Sequence, residues 1–320
     1  MFNKFIKAKD KAFRILYREI FRILYREITI ATKTVNGEKY TIKNPWIKLF
    51  EEGTIKLTDG MLINFNKSNK KDIFNFVYFL LSEGIKLGDK QGNWKLLKNN
   101  IIQTHQGLKF YIQNFSQDII SETFLKQIHF SSHDLAHKII VTGGAFIGDT
   151  PLYYAYFGAK VYGFEPDPKS FELAQKNIKL NPRLSKNIIL RRYVLGKDEV
   201  VNFPISKNSG GSSIFNKSYA YVETQSKSIK TLLREMKISR PYLLDIDIKG
   251  SEFDVIEDRA ISKFKLIRIE YSSYLMKDNS KDLNYILEKL DKYGFRKVII
   301  FKHNQLKFDL SIHGTMYASK

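Results

Sequence analysis

At 320 residues, with 43% hydrophobic, 14% aromatic and 27% charged content, the chain is large enough for one big domain or two modest ones, and its composition excludes a disordered, collagenous or low-complexity polymer. Zero Cys excludes a disulfide framework, a thiolate metal site and a cysteine nucleophile, and with six scattered His no metal is expected. The net charge of +20 would attract phosphate-bearing molecules or an anionic membrane surface, or it coats a solvated, self-repelling exterior; charge alone leaves that choice open.

The N-terminus is basic and aromatic but lacks the apolar core and small-residue cleavage site of a secretory signal. No run of 18 apolar residues follows, and the chain is expected in the cytoplasm. FRILYREI occurs twice in tandem, at Phe13–Ile20 and Phe21–Ile28, a local duplication that lengthens a helix. Phe13, Leu16, Tyr17, Ile20, Leu24 and Ile28 share one face of a helix over 1–28, and Arg14, Arg18, Arg22 and Arg26 form a row on another. With eight Lys/Arg against three Asp/Glu in this segment, the helix packs on its own protein, adsorbs peripherally to anionic headgroups, or makes an oligomer contact. The oligomeric state itself is not legible.

Residues 29–132 read as a small accessory α+β region. Asn36-Gly37, Asp59-Gly60 and Gln106-Gly107 separate β-prone runs as hairpin turns do, and Asp72–Glu83 has helical period. From 133 to 320 the grammar changes. KIIV, KVYGFE, NIILRRYVL, YLLDIDI and KLIRIEY alternate with helical stretches, and RKVIIF and TMYAS close the chain without a helix between them. The alternation predicts an α/β domain with a doubly wound, mostly parallel sheet ending in an antiparallel hairpin.

The chemistry centres on Lys138–Val141, a buried strand that runs into Gly143-Gly144-Ala145-Phe146-Ile147-Gly148 and then a helix. Glycines there let the backbone turn sharply and let a ligand approach closely. Twenty-one residues after Gly144, Glu165 ends the next strand, where a carboxylate can accept from both hydroxyls of a ribose. The following helix begins Asp149-Thr150-Pro151. A carboxylate at that terminus repels a pyrophosphate and suits a cofactor with a cationic aminoacyl sulfonium, S-adenosylmethionine.

GAFIGDTPLYYA…GAKVYGFEPDPKSFELAQKNIKLNP, followed by Gly211-Ser212-Ser213, LLDIDIKGSEFDVI and Ile269-Glu270-Tyr271, resembles the FkbM-type S-adenosylmethionine-dependent methyltransferases, particularly the form seen in archaea. The resemblance spans roughly 138–275. It implies a class I methyltransferase (Rossmann-like) fold with seven strands in the order 3-2-1-4-5-7-6, and O-methylation as the usual reaction. It also implies that Gly144 and Gly148 line the methionine end of the cofactor and that Glu165 holds its ribose. Thr142, Ala145 and Asp149 complete the expected cofactor-binding set.

Asp247 falls where cofactor meets substrate and is the first candidate for a general base, with Glu252 and Glu270 behind it. Glu252 matches the final acid of the family's D-x-E-G-x-E signature, and it also suits a plain helix-start carboxylate. A divalent ion on Asp247 and Glu270 is conceivable, but two carboxylates do not establish one.

The chain departs from the family pattern at Thr142, where the family has Asp, and at Phe146, where Asn is frequent. The family's K-x-D-x-E becomes Asp245-x-Asp247-x-Lys249, so the flanking charges are exchanged. Lys249 is expected either to contact an acidic substrate or to pair with Asp245 or Glu252. His129, His133 and His137 lie upstream of the first strand, and each is a surface or core histidine or a side chain approaching the site. Three functions stay open. One is an O-methyltransferase for a small-molecule, sugar or glycolipid hydroxyl. A second is a degenerate methyltransferase fold acting as a binding module. The third is a nucleic-acid methyltransferase, against which stands the absence of a base-flipping or RNA-binding signature.

Overall fold

The computed structural model describes residues 27–29, 31–35, 38–42, 53–56, 62–69, 72–73, 76–77, 94–97, 100–111, 120–126, 129, 134–205, 220–249, 251–273, 281–301 and 309–320. Two compact units are distinguished, Met1–Gln106 with Ile112–Gln117, and Gly107–Tyr111 with Asp118–Lys320.

In the first unit Ala31–Val35 pairs antiparallel with Glu38–Ile42, and Gly53–Lys56 with Leu62–Phe65. These strands flank Asn36-Gly37 and Asp59-Gly60; both turns lie outside the described residues. Residues 72–73 and 76–77 of the expected helix are helical. The duplicated N-terminal segment lies outside the described residues except at its end, where the expectation needs correcting. Glu27–Thr29 is a strand that pairs in parallel with Gly53–Lys56, so Ile28 is not on a helix face. Cross-strand hydrogen bonding overrides the local helical rhythm at that point. Among the described residues no helix is long and apolar enough to cross a membrane.

The second unit is built on a seven-stranded sheet. Its strands are β1 (Ile139–Gly143), β2 (Lys160–Phe164), β3 (Ile188–Arg191), β4 (Leu243–Ile246), β5 (Leu266–Ser272), β6 (Lys297–Phe301) and β7 (His313–Ser319). Their spatial order is β3-β2-β1-β4-β5-β7-β6, as the resemblance implies. β1 to β5 are parallel, and β7 runs antiparallel between β5 and β6.

Parallel neighbours need crossovers, and helices supply them: α1 (Asp149–Tyr156), α2 (Pro168–Lys179), α3 (Ile229–Glu235), α4 (Glu252–Ile256) and α5 (Leu283–Lys292). Three of these starts carry side-chain caps. Asp167, Ser228 and Asp282 each cap a helix by accepting from the backbone N–H three residues on, and Pro168 follows at the first turn of α2.

The run NIILRRYVL is not one strand. Ile188–Arg191 joins the main sheet, whereas Val194–Leu195 pairs with Tyr221–Lys227 in a three-stranded side sheet completed by Glu199–Pro204. The expected Gly211-Ser212-Ser213 motif lies outside the described residues.

On one face of the sheet Val141, Leu244, Ile246, Ile267 and Ile269 pack with Leu232 and Leu233 of α3, Phe253 of α4 and Ile286 of α5 in an apolar core. The opposite face is polar at its centre. Thr142, Asp245, Arg268 and Tyr317 are Cα partners on β1, β4, β5 and β7, so the period-two alternation of the strands lines them up as a row.

The ends of β1 and β4 meet beyond this row. Gly144 has φ 80°, and a Cβ there would lie 2.0 Å from the backbone oxygen of Asp247. Both the dihedral and the approach require glycine. Gly144→Ala is expected to cost roughly 2–5 kcal/mol, read as a lowered midpoint in urea unfolding.

Candidate active site

The carboxyl ends of β1, β2 and β4 converge on the glycine loop. After β1 the amides of Gly144 and Ala145 both donate to the Phe164 carbonyl oxygen at 3.0 Å, which ties the loop to the end of β2. Phe146 takes a left-handed φ of 41°, and its amide donates to Glu165 Oε2 at 2.8 Å. Glu165 Oε1 accepts from the Asp167 amide at 3.0 Å. Burial pushes this carboxyl up to about 8, against which the two backbone donors work. Each carboxylate oxygen keeps a lone pair beyond these bonds, so the group can still accept from further hydroxyls.

Asp149 opens α1 directly after the loop and is only 1% exposed. Its Oδ2 accepts from the Thr123 hydroxyl at 3.0 Å, while Oδ1 has no hydrogen-bond partner among the described residues. Burial pushes its pKa up to about 6; His129 and Thr123 oppose the rise, and the Asp247 carboxylate adds to it.

Beneath the loop lies a buried ion pair. Arg268 Nη1 donates to Asp245 Oδ1 at 2.8 Å, with both side chains essentially unexposed. The Tyr154 hydroxyl is 2.6 Å from Asp245 Oδ2 and 2.9 Å from the His129 carbonyl oxygen, and its one proton goes to the closer, charged acceptor. His129 Nδ1 stands 3.5 Å from the same Oδ2. Burial alone would raise the Asp245 pKa, but Arg268, with His129 and Tyr154, holds it at about 2.

At the rim, Lys249 Nζ lies 3.1 Å from Asp247 Oδ1 and 2.6 Å from Glu270 Oε1. The expected pairing of Lys249 with Asp245 or Glu252 is therefore corrected. Lys249 has a left-handed φ of 48° immediately after β4, and its ammonium lies between the next acids along β4 and β5. Burial would lower the Lys249 pKa, but Asp247 and Glu270 keep the ammonium charged.

Two carboxylates share that single cation, and burial together with Glu270 pushes the Asp247 pKa up. Asp247 and Lys249 are each 31% exposed against 3% for Glu270, so Asp247 is the acid that an incoming substrate can reach. Glu252 is turned into the protein, where its Oε1 accepts from the Ser272 amide at 2.6 Å beyond the active end of β5. Among the described residues no group of three or more His, Asp or Glu is arranged to hold a metal ion. Between Asp247 and Glu270 the lysine ammonium occupies the bridging position.

Residues 143–297 match the family model of the methyltransferase FkbM domain. Over that span the chain is similar to FkbM methyltransferases. No curated protein matches the chain.

Among solved structures, the FkbM methyltransferase of Methylobacillus flagellatus KT is similar at 15% identity and a TM-score of 0.40, over 78% of this chain and 60% of that one. The chain thus spans 60% of that relative. The human methyltransferase 10 domain containing protein is similar at 12% identity and 0.36, over 63% of this chain and 81% of that one. TrmK of M. capricolum, solved with S-adenosylhomocysteine, is similar at 12% identity and 0.34, over 59% and 65% of the two chains.

Within this FkbM-type domain the exchanged charges find partners. Asp245 stands beside Thr142 in register, but its carboxylate is taken up by Arg268 and Tyr154 beneath the loop. Arg268 on β5 supplies the cation that Asp245 needs, and Lys249 is neutralised by Asp247 and Glu270. The reading from sequence alone missed Arg268, although a lone Arg within LIRIEY signals a buried charge in want of a partner. Thr123 and Tyr154 had no such signal, because only the packing of α1 and the segment around Ser121–Lys126 brings them to the site.

Arg268→Met leaves Asp245 charged and buried, and is expected to cost about 3–5 kcal/mol. Combining it with Asp245→Asn should recover more than half of that loss in the same denaturation assay, because the orphaned charge is gone.

Proposed function

We propose that the protein transfers a methyl group from S-adenosylmethionine to a hydroxyl of a small molecule, sugar or glycolipid. The observation that carries the reading is Asp149, a buried carboxylate at the first turn of the helix after the glycine loop with one oxygen unpartnered among the described residues. Positioned where a dinucleotide cofactor would set its pyrophosphate, it repels phosphate and calls for a cation. Glu165 and Asp247 are electrostatically coupled to it, so the loop is lined with acids whose ionised forms a bound cation favours. A donor with a ribose diol, an ammonium and a sulfonium fits this set: Glu165 to accept from the diol, Asp149 to face positive charge, and the Gly144 backbone to allow close approach.

When bound, the cofactor supplies an electrophilic methyl on sulfur whose departure needs no acid. The chain's own task is to align the acceptor oxygen with that methyl, exclude water and remove a proton. Asp247 is the base that the geometry favours. It is open to the rim, and its raised pKa brings a carboxylate closer to the range in which it takes a hydroxyl proton. Lys249, held by Asp247 and Glu270, keeps Asp247 fixed and donates toward the oxyanion that forms.

The alternative of a binding module draws on Lys249, since a base tied to an ammonium is less available. Cofactor titration separates the readings at their first requirement. Calorimetry with S-adenosylmethionine is expected to give saturable binding with Kd of about 100 μM or tighter. Glu165→Ala should weaken it about tenfold or more, through loss of a buried acceptor. Absence of saturable heat at about millimolar cofactor sinks the enzyme.

A further inference from the structure

A chain of buried polar side chains ends on Asp149. Thr123, within Ser121–Lys126, donates its hydroxyl proton to Asp149 Oδ2 and has His129 Nε2 3.0 Å from the same oxygen. His129 in turn faces Asp245 through Nδ1 at 3.5 Å, and Asp245 is held by Arg268. All of Thr123, His129, Asp149, Asp245 and Arg268 are buried.

A threonine hydroxyl has one proton and can give it to only one neighbour. When Asp149 is ionised, that proton goes to Oδ2 and His129 must donate from Nε2. When Asp149 is protonated, its own proton goes to the Thr123 oxygen, and the hydroxyl proton goes to Nε2. The remaining Asp149 oxygen, Oδ1, is the unpartnered one.

We infer that Asp149 is the receptor for the α-ammonium of the cofactor's aminoacyl arm, and that Thr123, oriented by His129, is a positioning residue that favours the ionised carboxylate by donating to its Oδ2. This places at the start of α1 the carboxylate that Thr142 does not supply on β1. The inference rests on the cofactor assignment proposed above.

Among the described residues, charged and titratable groups face this cluster from several elements. Asp149 is flanked by Thr123 and His129 from the upstream segment, by Asp247 from the end of β4 and by Glu165 from the end of β2. His129 is packed between Tyr153 and Tyr154 of α1 and faces Asp245. Behind Asp245 stand Arg268 and Tyr317. Burial raises the Asp149 carboxyl to about 6, and the Thr123 hydrogen bond opposes that rise. An ammonium ligand therefore gains affinity as pH climbs through this value and loses it below.

Two nucleosides separate the arm from the rest of the cofactor. S-adenosylhomocysteine carries the ammonium, and 5′-methylthioadenosine has the same adenosine and thioether without it. The ratio of their affinities cancels effects at Glu165, which both ligands meet. Measured by calorimetry on the full chain, the ratio in favour of S-adenosylhomocysteine is expected to fall about tenfold between about pH 7.5 and about pH 5.

Thr123→Val should move the midpoint of that fall upward by about one pH unit, Thr123→Ser should restore it, and Asp149→Asn should leave a small ratio independent of pH. A ratio that stays constant over this range in the unaltered protein, which requires no variant to fold, overturns the inference and leaves the cofactor assignment standing. So does an unmoved midpoint in Thr123→Val. If neither nucleoside binds, the cofactor assignment fails and the inference fails with it.

Discussion

The Arg268–Asp245 ion pair sets the terms for the rest of the domain. A guanidinium with no exposed surface in the middle of β5 carries a desolvation penalty of several kcal/mol, and only a hydrogen-bonded counter-charge repays it. Because β4 and β5 are parallel and in register, residue 245 is the position directly across, and an acid stands there. That pairing explains why one face of the sheet is polar at its centre. It also explains why Tyr154 of α1 turns its hydroxyl inward and why His129 is drawn under the same helix.

The alternation of strands carries the pattern outward to the site. Residue 245 on β4 with 247 just past its end, and 268 with 270 on β5, continue one face two by two. The buried pair therefore continues toward the mouth as Asp247–Lys249–Glu270, with Glu270 Oε2 3.8 Å from Arg268 Nη2. One interior cation and one rim cation hold three acids between them. Asp149 and Glu165, on the other side of the glycine loop, have no lysine or arginine paired with them among the described residues, and burial raises both. The site is thus graded from ion-paired acids at the acceptor side to unpaired carboxyls with raised pKa at the cofactor side. The +20 of the whole chain is not a property of this cleft.

How far the site could be read from sequence varies residue by residue. Glu165 was legible because its distance from Gly144 is set by one helix and one strand, whose lengths are local matters. The caps at Asp167, Ser228 and Asp282 are local as well, since each side chain accepts from an N–H three residues on. NIILRRYVL was misread as one strand because propensity says that a run is extended without saying which sheet it joins. Lys249 was assigned the wrong partners because one left-handed residue after β4 redirects its side chain, which spacing along the chain does not register. Ile28 failed similarly: a helical rhythm gave way to a neighbouring strand's hydrogen bonds.

The fold class and the position of the glycine loop are written in the chain, through buried apolar runs and glycines whose consequences are local, whereas the order of the seven strands came through the family resemblance. The charge architecture of the site is not written there. Which acid meets Arg268, which pair grips Lys249, and which carboxylate keeps an unpartnered oxygen depend on register between strands and on helices packed across them. Buried charges interact over a few ångströms in space irrespective of separation along the chain. For that reason Thr123 and Arg268, 145 positions apart in the numbering, belong to one buried polar cluster that only the assembled sheet brings together.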